Sequence, residues 1–290
     1  MTRPRTIARG VELFPARTPT LPPATHTNSY ALGEREVLLI EPATPHEDER
    51  RAWLSWARAF PSRGQRLVGI ALTHHHADHV GGAEFFGRAL GLPLWAHEAT
   101  AARLPGLPVA RRLEDGEAIV LEGETPQRWQ VLHTPGHAPG HVCLWSEAQA
   151  VVVVGDMVAS VGTILIEPKD GDLIEYLAQL DRLARLGAAI ALPAHGEPIA
   201  AEGSVGRSPA ALFRFYIAHR LGREAKVVDA LTQAGEAGAT AEALLPIVYA
   251  DTPKAVWPLA LLSLESHLIK LARDGRARLG GAGWVSVPGQ

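Results

Sequence analysis

The chain has 290 residues, of which 47% are hydrophobic and 20% are charged, and its formal net charge at pH 7 is −3. This length is sufficient for one large core and a small second unit. The balanced composition excludes a disordered chain or a coiled coil. The slightly acidic charge argues against non-specific binding to nucleic acid, although it is compatible with a local basic surface.

Cys143 is the single cysteine, so the chain cannot form an internal disulfide or a thiolate metal cluster. Its apolar neighbours Val142 and Leu144 predict a small core residue rather than a nucleophile. No apolar segment follows Met1–Arg5, and no stretch approaches the ~20 apolar residues of a membrane span, so neither a signal peptide nor a membrane partner is predicted. We therefore expect a cytoplasmic protein. No pattern indicates an obligate protein partner, and the oligomeric state stays open.

Short apolar runs alternate with helical patterns along the first 200 residues. The first strands are predicted at Val37–Ile40, Leu67–Leu72 and Leu92–Ala96, and the helices between them at Glu47–Phe60 and Ala83–Leu90. After Pro108 strands predominate, at Ala118–Leu121, Trp129–His133, His141–Trp145 and Ala150–Val154. A helix over Leu173–Leu186 and a strand over Ala188–Leu192 follow. Strands covered by helices predict an α/β sandwich.

The ends of the Leu173–Leu186 helix carry local signals. Asp172 is placed as its N-cap, paired with Glu175 three residues later, and Gly187 lies where a helix-ending glycine is expected.

The composition changes near residue 202. The segment Glu202–Pro209 is rich in glycine and serine, which is typical of a linker. Beyond it, helices are predicted at Ala210–Leu221, Arg223–Ala234, Ala241–Val248 and Pro253–Arg273. Two short runs, Arg276–Leu279 and Trp284–Val287, flank a glycine-rich turn and predict a two-stranded wing. We therefore predict one domain over residues 1–206 and a winged-helix-like domain over residues 207–290.

Three histidines and an aspartate lie within six residues, directly after the strand predicted at Leu67–Leu72. They are His74, His76, Asp78 and His79. Neutral imidazole and carboxylate are good ligands for a zinc-like ion. A loop that leaves a strand can turn His74 and His76 toward one ion, while Asp78 and His79 face a second. Clustered imidazoles without a metal would repel one another when protonated, so the pattern predicts a metal site.

Three further candidate ligands also follow predicted strands. They are His137 in a Pro-Gly turn, Asp156 and His195. Their shared placement predicts one site at a single edge of a sandwich. For His141 two readings stay open: it orients a ligand through a hydrogen bond, or it only caps a strand.

The order His74-x-His76-x-Asp78-His79, followed by His137, Asp156 and His195, resembles the signature of the metallo-β-lactamase superfamily. The resemblance covers about the first 200 residues. It implies a four-layer αβ/βα sandwich with two divalent metal ions, zinc above all, with manganese and iron as alternatives. In the implied arrangement the first ion is held by His74, His76 and His137, the second by Asp78, His79 and His195, and Asp156 bridges the two.

The activity implied by this resemblance is hydrolysis. Two divalent cations lower the pKa of a shared water, so that a metal-bridging hydroxide exists near neutral pH and attacks an ester, thioester or phosphodiester. A metal also polarises the oxygen that gains charge. Asp78 accepts a hydrogen bond from this nucleophile while it binds the second ion, which makes it the catalytic carboxylate. The sequence has no Gly-x-Ser-x-Gly motif for serine chemistry.

The tail resembles the C-terminal region of the β-lactamase-like protein 2 group. The similar segments are His219–Glu224, Val248–Pro253, Trp257–Ala260 and Ser266–Leu271. This resemblance implies a winged-helix-like domain beside the metal site. It also implies either single-strand endoribonuclease activity or thioester hydrolysis, of the polyketide type rather than the glyoxalase II type.

Two substrate classes therefore stay open, an RNA and a small acyl compound. A nuclease predicts phosphate contacts from Arg214, Arg220, Arg223 or Lys270. A thioesterase or lactonase predicts an apolar acyl channel lined by Trp257, Leu261 and Phe215. A non-catalytic binding protein on the same fold is a third reading, which the complete set of candidate ligands disfavours.

Overall fold

The computed structural model describes residues 4–203, 205–281 and 283–287. Met1–Arg3 of the segment considered for a signal peptide, Ser204 of the predicted linker and Ala282 of the predicted wing turn lie outside the described residues. Within the described ranges the α-helices are α1 (Glu47–Ser62), α2 (Ala77–Val80), α3 (Ala83–Leu90), α4 (Glu98–Ala101), α5 (Leu173–Ala184), α6 (Pro209–Ala234), α7 (Ala241–Val248) and α8 (Trp257–Arg273). Short 3-10 helices span Gly235–Ala237 and Lys254–Val256.

The strands of the same described ranges form three sheets. The first contains, in spatial order, β1 (Arg5–Ala8), β2 (Val11–Arg17), β3 (His26–Leu32), β4 (Glu36–Ile40), β5 (Arg66–Ala71), β6 (Leu94–Ala96) and β7 (Val109–Arg112). The second contains β8 (Ala118–Leu121), β9 (Gln127–His133), β10 (Val142–Ser146), β11 (Val151–Gly155), β12 (Ile190–Pro193) and β13 (Ile199–Ala200). The third pairs β14 (Ala277–Gly280) with β15 (Gly283–Ser286).

The layers follow from the two faces of each sheet. Alternate residues of a strand point to opposite faces. In β4, Val37 and Leu39 therefore pack with Trp53 of α1. Leu38 and Ile40 of the same strand face the second sheet. Helices α1 and α3 cover the first sheet, and α5 with the start of α6 covers the second, which confirms the four-layer αβ/βα sandwich.

Strands β1 to β3 are absent from the sequence prediction, as are α4 and β7. In β3 the polar residues at 27–29 are buried, so no apolar alternation is visible there. Tertiary hydrogen bonds stabilise these groups: Asn28 Nδ2 donates to the carbonyl oxygens of Pro193 at 2.9 Å and Gly196 at 2.8 Å. Partners distant in sequence thus allow a strand in a segment whose own pattern does not predict one.

Of the signals predicted for the ends of α5, the Asp172 N-cap is confirmed, whereas the Asp172 N–H donates to the carbonyl of Gly136 rather than to Glu175 and the C-cap is Arg185. The Asp172 carboxylate accepts hydrogen bonds from the backbone N–H groups of Ile174 at 2.9 Å and Glu175 at 3.1 Å. Gly187 has a φ of 73°, although the helix itself ends at Ala184, two residues earlier than predicted. The N-cap matters for the site because α5 begins directly behind the loops that carry the candidate ligands.

The two helices predicted at Ala210–Leu221 and Arg223–Ala234 are wrong as separate elements, because α6 is continuous. Gly222 lies at an exposed position and costs a helix only about 1 kcal/mol relative to alanine. Tyr216 before it and Val227 after it are buried in hydrophobic cores, and this packing outweighs the glycine.

Helix α6 contributes to both units of the molecule. Its first half buries Leu212 and Phe213 against the second sheet and α5. Its second half buries Val227 and Leu231 with α7 and α8 in the core of the tail. The domain boundary at residue 206 stays a prediction, and the helix that follows it belongs to two cores at once.

The expectation that no stretch approaches a membrane span is too strict. Lys254–Arg273 is 20 residues long, and a window of it has a mean hydropathy of 1.2, which by length and composition alone is enough to cross a membrane. Leu264, Leu268 and Leu271 of this segment are fully buried in the core of the tail. A core helix meets the same criterion, so this segment is weak support for a membrane span.

Candidate metal centre

The predicted ligands lie in loops that follow β5, β9, β11 and β12, or in the short α2. Strands β9 and β11 are both antiparallel to β10, and β11 is parallel to β12, so their C-terminal ends lie at one edge of the second sheet. Gly155 has a φ of 47°, and a Cβ at this position would lie 2.5 Å from His141 Nε2. Glycine therefore allows the chain to pass His141 closely and present Asp156.

The first predicted ligand group converges on one point. His74 Nε2 lies 3.1 Å from His76 Nδ1 and 3.2 Å from His137 Nε2. His137 Nε2 and His76 Nδ1 are 3.0 Å apart. Three ring nitrogens within this distance of one another form a small triangle, which is the arrangement that a single cation needs.

The second predicted group lies beside the first. The Asp78 carboxylate is 3.7 Å from His79 Nε2 and 3.5 Å from His195 Nε2. Asp156 contacts both groups, because its carboxylate lies 3.6 Å from His79 Nε2, 3.4 Å from His195 Nε2 and 3.5 Å from His137 Nε2. The structure thus brings all the candidate ligands together, and their roles as metal ligands stay a prediction.

Acceptor groups behind the rings determine which nitrogen faces the site. His137 Nδ1 donates to the carbonyl of Leu165 at 2.9 Å, and His195 Nδ1 donates to the carbonyl of His26 at 3.0 Å. A carbonyl oxygen only accepts, so the proton is on Nδ1 and the lone pair of the neutral ring is on Nε2. These are the nitrogens that point into the two groups.

Glu41 is a functional candidate that the sequence analysis missed. Its side chain is 1% exposed and its Oε2 accepts a hydrogen bond from His79 Nδ1 at 2.9 Å. Its Oε1 accepts from the backbone N–H of Thr73 at 2.8 Å. A carboxylate in an apolar run directly after β4 was the only available signal. Glu41 holds the His79 ring and the start of the histidine loop together.

Asp170 is a second missed residue. Its Oδ2 accepts from His76 Nε2 at 2.9 Å and lies 3.2 Å from His75 Nε2. Arg103 donates to the other oxygen at 3.1 Å. Because the carboxylate takes the Nε2 proton of His76 as a hydrogen bond, the Nδ1 lone pair is directed to the first group. His75, which the sequence did not assign to a metal, contacts Asp170, and its ring centre lies 4.8 Å from that of His76.

His141 is fully buried and contacts Asp156 through the backbone. Its Nε2 accepts a hydrogen bond from the Asp156 N–H at 3.1 Å, and its Nδ1 lies 2.8 Å from Thr134 Oγ1. Its carbonyl also accepts from the Thr134 N–H at 2.8 Å, next to the start of β10. Each of the two open interpretations of His141 thus has a matching contact. The hydrogen bond from the Asp156 N–H fits a role in positioning a candidate ligand, and the one from the Thr134 N–H fits a role at the start of the strand.

Burial decides the protonation of the first group. It lowers the pKa of His137 to about 4 and holds the pKa of His74 well below its ordinary value. Nearby imidazoles lower the His74 pKa further. Both rings are therefore neutral at pH 7, which is the form that binds metal ions.

The second group is rich in carboxylates. Burial opposes a charge on His79, but Asp156, Asp78 and Glu41 raise its pKa well above the ordinary value. Burial likewise opposes a charge on His195, and the neighbouring Asp156 raises its pKa. The same carboxylates that favour positive charge on these rings would favour a divalent cation between them.

The chemistry of the donors fits a divalent ion. His79 Nε2 and Asp156 Oδ1 are buried and have no hydrogen-bond partner among the described residues. Leaving such groups unsatisfied in the interior is costly. Both face the carboxylate-rich group, and a cation there would satisfy both atoms.

Cys143 is buried in β10 with its Sγ 3.3 Å from Thr134 Oγ1. Burial raises the pKa of its thiol to about 12, so the nucleophilic thiolate does not form near neutral pH. The prediction of a core residue agrees with this position.

A cavity of about 320 Å³ opens at the metal centre. The candidate ligands that line it are His76, Asp78, His137, Asp156 and His195. The opposite wall consists of segments 19–24 and 161–165. No lysine or arginine lies among the described residues that line this cavity.

Three of the four cations expected to contact phosphate donate hydrogen bonds to other groups of the protein. Arg220 is 4% exposed and donates to the carbonyl of Ile164. Arg223 donates to Asp251 at 2.8 Å, and Lys270 donates to Asp274 at 2.6 Å. These contacts engage all three side chains within the protein, and their contact with phosphate stays a prediction. Arg214 is exposed on α6.

The expected acyl channel residues are also placed elsewhere. Phe215 is 50% exposed and stacks near His219, and Trp257 and Leu261 pack against the core of the tail. None of these three lines the cavity at the metal centre. Helical periodicity could not show which face of α6 or α8 is turned toward the site.

A sequence model of the Metallo-beta-lactamase superfamily matches residues 22–195, and one of the Beta-lactamase associated winged helix domain matches residues 240–284. The first match covers more than half of the chain. The chain therefore belongs to the metallo-beta-lactamase superfamily and is a hydrolase on that fold. It also carries the associated winged helix domain, in which α7 and α8 pack with the second half of α6 around a hydrophobic core.

Particular proteins are similar over most of the chain. A Beta-lactamase-like protein 2 homolog from Drosophila melanogaster is 27% identical, covering 87% of this chain and 84% of the relative. An Atrochrysone carboxyl ACP thioesterase from Aspergillus chevalieri is 29% identical, covering 86% and 76%. The crystal structure of a metallo-beta-lactamase family protein from Thermus thermophilus matches with a TM-score of 0.76 and 26% identity, covering 97% of this chain and all of that one.

Proposed function

We propose that this chain is a dinuclear, divalent-metal-dependent hydrolase of acyl thioesters or esters. The observation that carries the proposal is the position of Asp156, within 3.4 Å of His195 Nε2 and 3.5 Å of His137 Nε2. A carboxylate that reaches both donor groups favours two ions over one. Imidazole and carboxylate donors favour zinc, with manganese and iron as alternatives.

Bound divalent ions would lower the pKa of water and polarise the oxygen that gains charge. The side chains of the protein position the reactants around them. Asp78 lines the cavity with 18% of its side chain exposed, so we assign it the hydrogen bond from the attacking water. Glu41 and Asp170 keep the rings of His79 and His76 in the orientation that this requires.

Two observations favour an acyl substrate over RNA. The described lining of the cavity at the metal centre has no lysine or arginine, whereas binding of a polyanion depends on cations that contact phosphates. A relative named as an acyl-carrier-protein thioesterase is similar over 86% of this chain. The acyl group and the reacting carbonyl of a thioester are neutral, so they can bind at the metal centre without a lysine or arginine. The single cysteine is in keeping with a reducing compartment such as the cytoplasm.

The test is to incubate zinc-loaded and manganese-loaded protein with a small acyl thioester and with single-stranded RNA, side by side. We expect about two metal ions per chain by elemental analysis and turnover of the thioester. RNA cleavage without thioester turnover would overturn the acyl assignment in favour of an endoribonuclease. Failure to bind zinc, manganese or iron would overturn the metal-dependent mechanism, and metal binding without turnover of either substrate would favour a binding protein.

Two variants separate the roles of the interior residues. Asp156→Ala should lower metal affinity at least about 100-fold and abolish turnover, because one carboxylate serves both groups. Cys143→Ala is the matched control in the neighbouring strand and should keep both metal and turnover. Loss of activity in a folded, metal-replete Cys143→Ala protein would instead assign the nucleophile to the thiol.

A further inference from the structure

A second cavity of about 300 Å³ adjoins the one at the metal centre. Segments 21–23 and 162–165 line both cavities, so these two loops form their common wall. The far side of the second cavity belongs to the tail, with Tyr249 after α7, Val256 before α8 and Leu259 within it. The second cavity thus extends the site from the metal centre to the winged helix.

The lining of this cavity is mainly apolar. Leu21 and Val256 line it and are 51% and 38% exposed. Leu259 and Ile164 add further apolar surface. A surface of this composition stabilises an apolar ligand more than a charged one.

Arg220 and Arg223, which line this cavity, donate hydrogen bonds to other groups of the protein. A terminal nitrogen of Arg220 donates to the carbonyl of Ile164, in the loop shared with the metal cavity. Arg223 donates to Asp251 at 2.8 Å, and its guanidinium lies 4.3 Å from the ring centre of Tyr249. Arg223 is therefore paired with a carboxylate, whereas Arg220 holds the shared loop through a neutral carbonyl and its Nε has no hydrogen-bond partner among the described residues.

We propose that the second cavity, lined by Val256, Leu259, Tyr249 and the two shared loops, is an acyl chamber. It binds the apolar chain of an acyl thioester whose carbonyl reacts at the metal centre. This assignment rests on the proposed thioester hydrolysis. It adds that residues of the tail bind the acyl chain of the substrate and so select its length. The winged helix then acts as one wall of a binding site for a small molecule.

An acyl chamber leads to a quantitative expectation for how kcat/KM depends on the length of the acyl chain. Burial of one methylene group is worth about 0.8 kcal/mol, which corresponds to about a fourfold gain in affinity or in kcat/KM. The gain should persist with each added methylene until the chamber is filled. A site that holds only the reacting ester would show no such trend.

The experiment measures kcat/KM of the metal-loaded full chain on acetyl, butyryl, hexanoyl and octanoyl thioesters of one thiol. We expect a rise of about fourfold per methylene over the series. Turnover of all four esters at one rate would overturn the acyl chamber and leave the hydrolase intact. If none of the esters is hydrolysed, both the proposed function and this inference are wrong.

Variants and a binding measurement make the test specific. Val256→Asp places a charge in the chamber wall and should reduce the octanoyl-to-acetyl ratio about tenfold or more. Ile247→Asp is the matched control, because Ile247 is 54% exposed on α7 and lines neither cavity. Ser263→Phe should fill the chamber and reduce the same ratio from a different position.

An octyl thioether, in which a methylene group replaces the thioester carbonyl, cannot be hydrolysed, and its calorimetric titration into metal-free protein gives a readout independent of turnover. It should bind the original chain and the Ile247→Asp control equally, and Val256→Asp and Ser263→Phe at least tenfold more weakly. Heat-capacity changes on binding should be negative, since apolar surface is buried. Equal affinity for all four folded proteins would overturn the chamber.

Discussion

Glu41 supports the second ligand group, Asp78, His79 and His195, through a hydrogen bond from the ring of His79. Its carboxylate is buried, accepts from His79 Nδ1 and Thr73 N, and follows β4 with a φ of 59°. A left-handed conformation is unfavourable for a residue with a side chain and persists only where tertiary contacts compensate for it. Those contacts are the hydrogen bonds to the histidine loop. Because Glu41 directly follows β4, the first sheet fixes the orientation of the His79 ring.

Glu41→Gln should weaken metal binding to the group of Asp78, His79 and His195 about 10- to 100-fold. The amide oxygen can accept only one of the two hydrogen bonds that the carboxylate accepts, and the negative charge that supports His79 is lost. The measurement is metal content and chelator competition for both ions. We expect the ion held by His74, His76 and His137 to be affected much less.

Glu47→Gln on α1 is the control for this substitution, because the Glu47 side chain is 86% exposed. It should leave both metal affinities unchanged. Two ions bound to Glu41→Gln as tightly as to the original chain would show that Glu41 serves only the loop backbone.

At the scale of elements, a buried carboxylate joins α6 to α8 and the wing. Glu224 is 4% exposed. It lies 3.0 Å from Lys270 Nζ and 3.0 Å from Arg276 Nη1. Burial acts to raise the pKa of Glu224, but the nearby His267, whose Nδ1 lies 3.8 Å away, and Lys270 lower it to about 2. The charged carboxylate is thus the form that stabilises the tail.

The pH dependence follows from the direction of this shift. The pKa of Glu224 in the folded protein lies below its ordinary value of 4.5. Its stabilisation is therefore complete above pH 4.5 and is lost as the pH falls toward about 2. Glu224→Gln should lower the free energy of unfolding by about 2 kcal/mol at pH 7, and by progressively less below pH 4.5.

Denaturant unfolding at pH 7 and at pH 3 measures both values. Glu236→Gln, an exposed position after α6, is the control and should show no difference at either pH. A deficit of Glu224→Gln that is the same at both pH values would mean that the charge of Glu224 contributes nothing and only its shape matters.

For the whole molecule, α6 decides where the chain can be cut. A chain that ends at Gly206 loses Leu212, Phe213 and Tyr216, which are buried against α5 and the second sheet. Tyr216 Oη also exchanges hydrogen bonds with the backbone of Ala159 at 3.0 and 3.1 Å. Each buried apolar side chain contributes about 1.5–3 kcal/mol, so their loss approaches the total stability of a domain.

We therefore expect residues 1–206 to unfold or aggregate, and residues 1–221, which keep this half of α6, to fold and bind metal. Thermal unfolding and metal content of the two truncations test this. Cooperative unfolding and full metal content of residues 1–206 would contradict the role of α6 and support an independent first domain.

Local pattern was sufficient to select the candidate ligands of this protein. Strand-to-loop junctions and metal-binding side chains are both local, so His74, His76, Asp78, His79, His137, Asp156 and His195 could be chosen from the sequence before any contact was known. Periodicity likewise predicted an α/β sandwich and the wing, whereas the four-layer arrangement was implied by the resemblance to the metallo-β-lactamase superfamily. The break predicted at Gly222 failed where packing on both sides outweighed a local preference.

Only the tertiary structure decided what supports the ligands and what the substrate meets. Glu41 and His79 are 38 residues apart, and Asp170 and His76 are 94 apart, so no local pattern relates the members of either pair. The second cavity likewise depends on how the tail packs against segments 21–23 and 162–165. A sequence pattern specifies the residue types and periodicity of each segment. Which distant segments meet is decided by packing and hydrogen bonding across the whole chain.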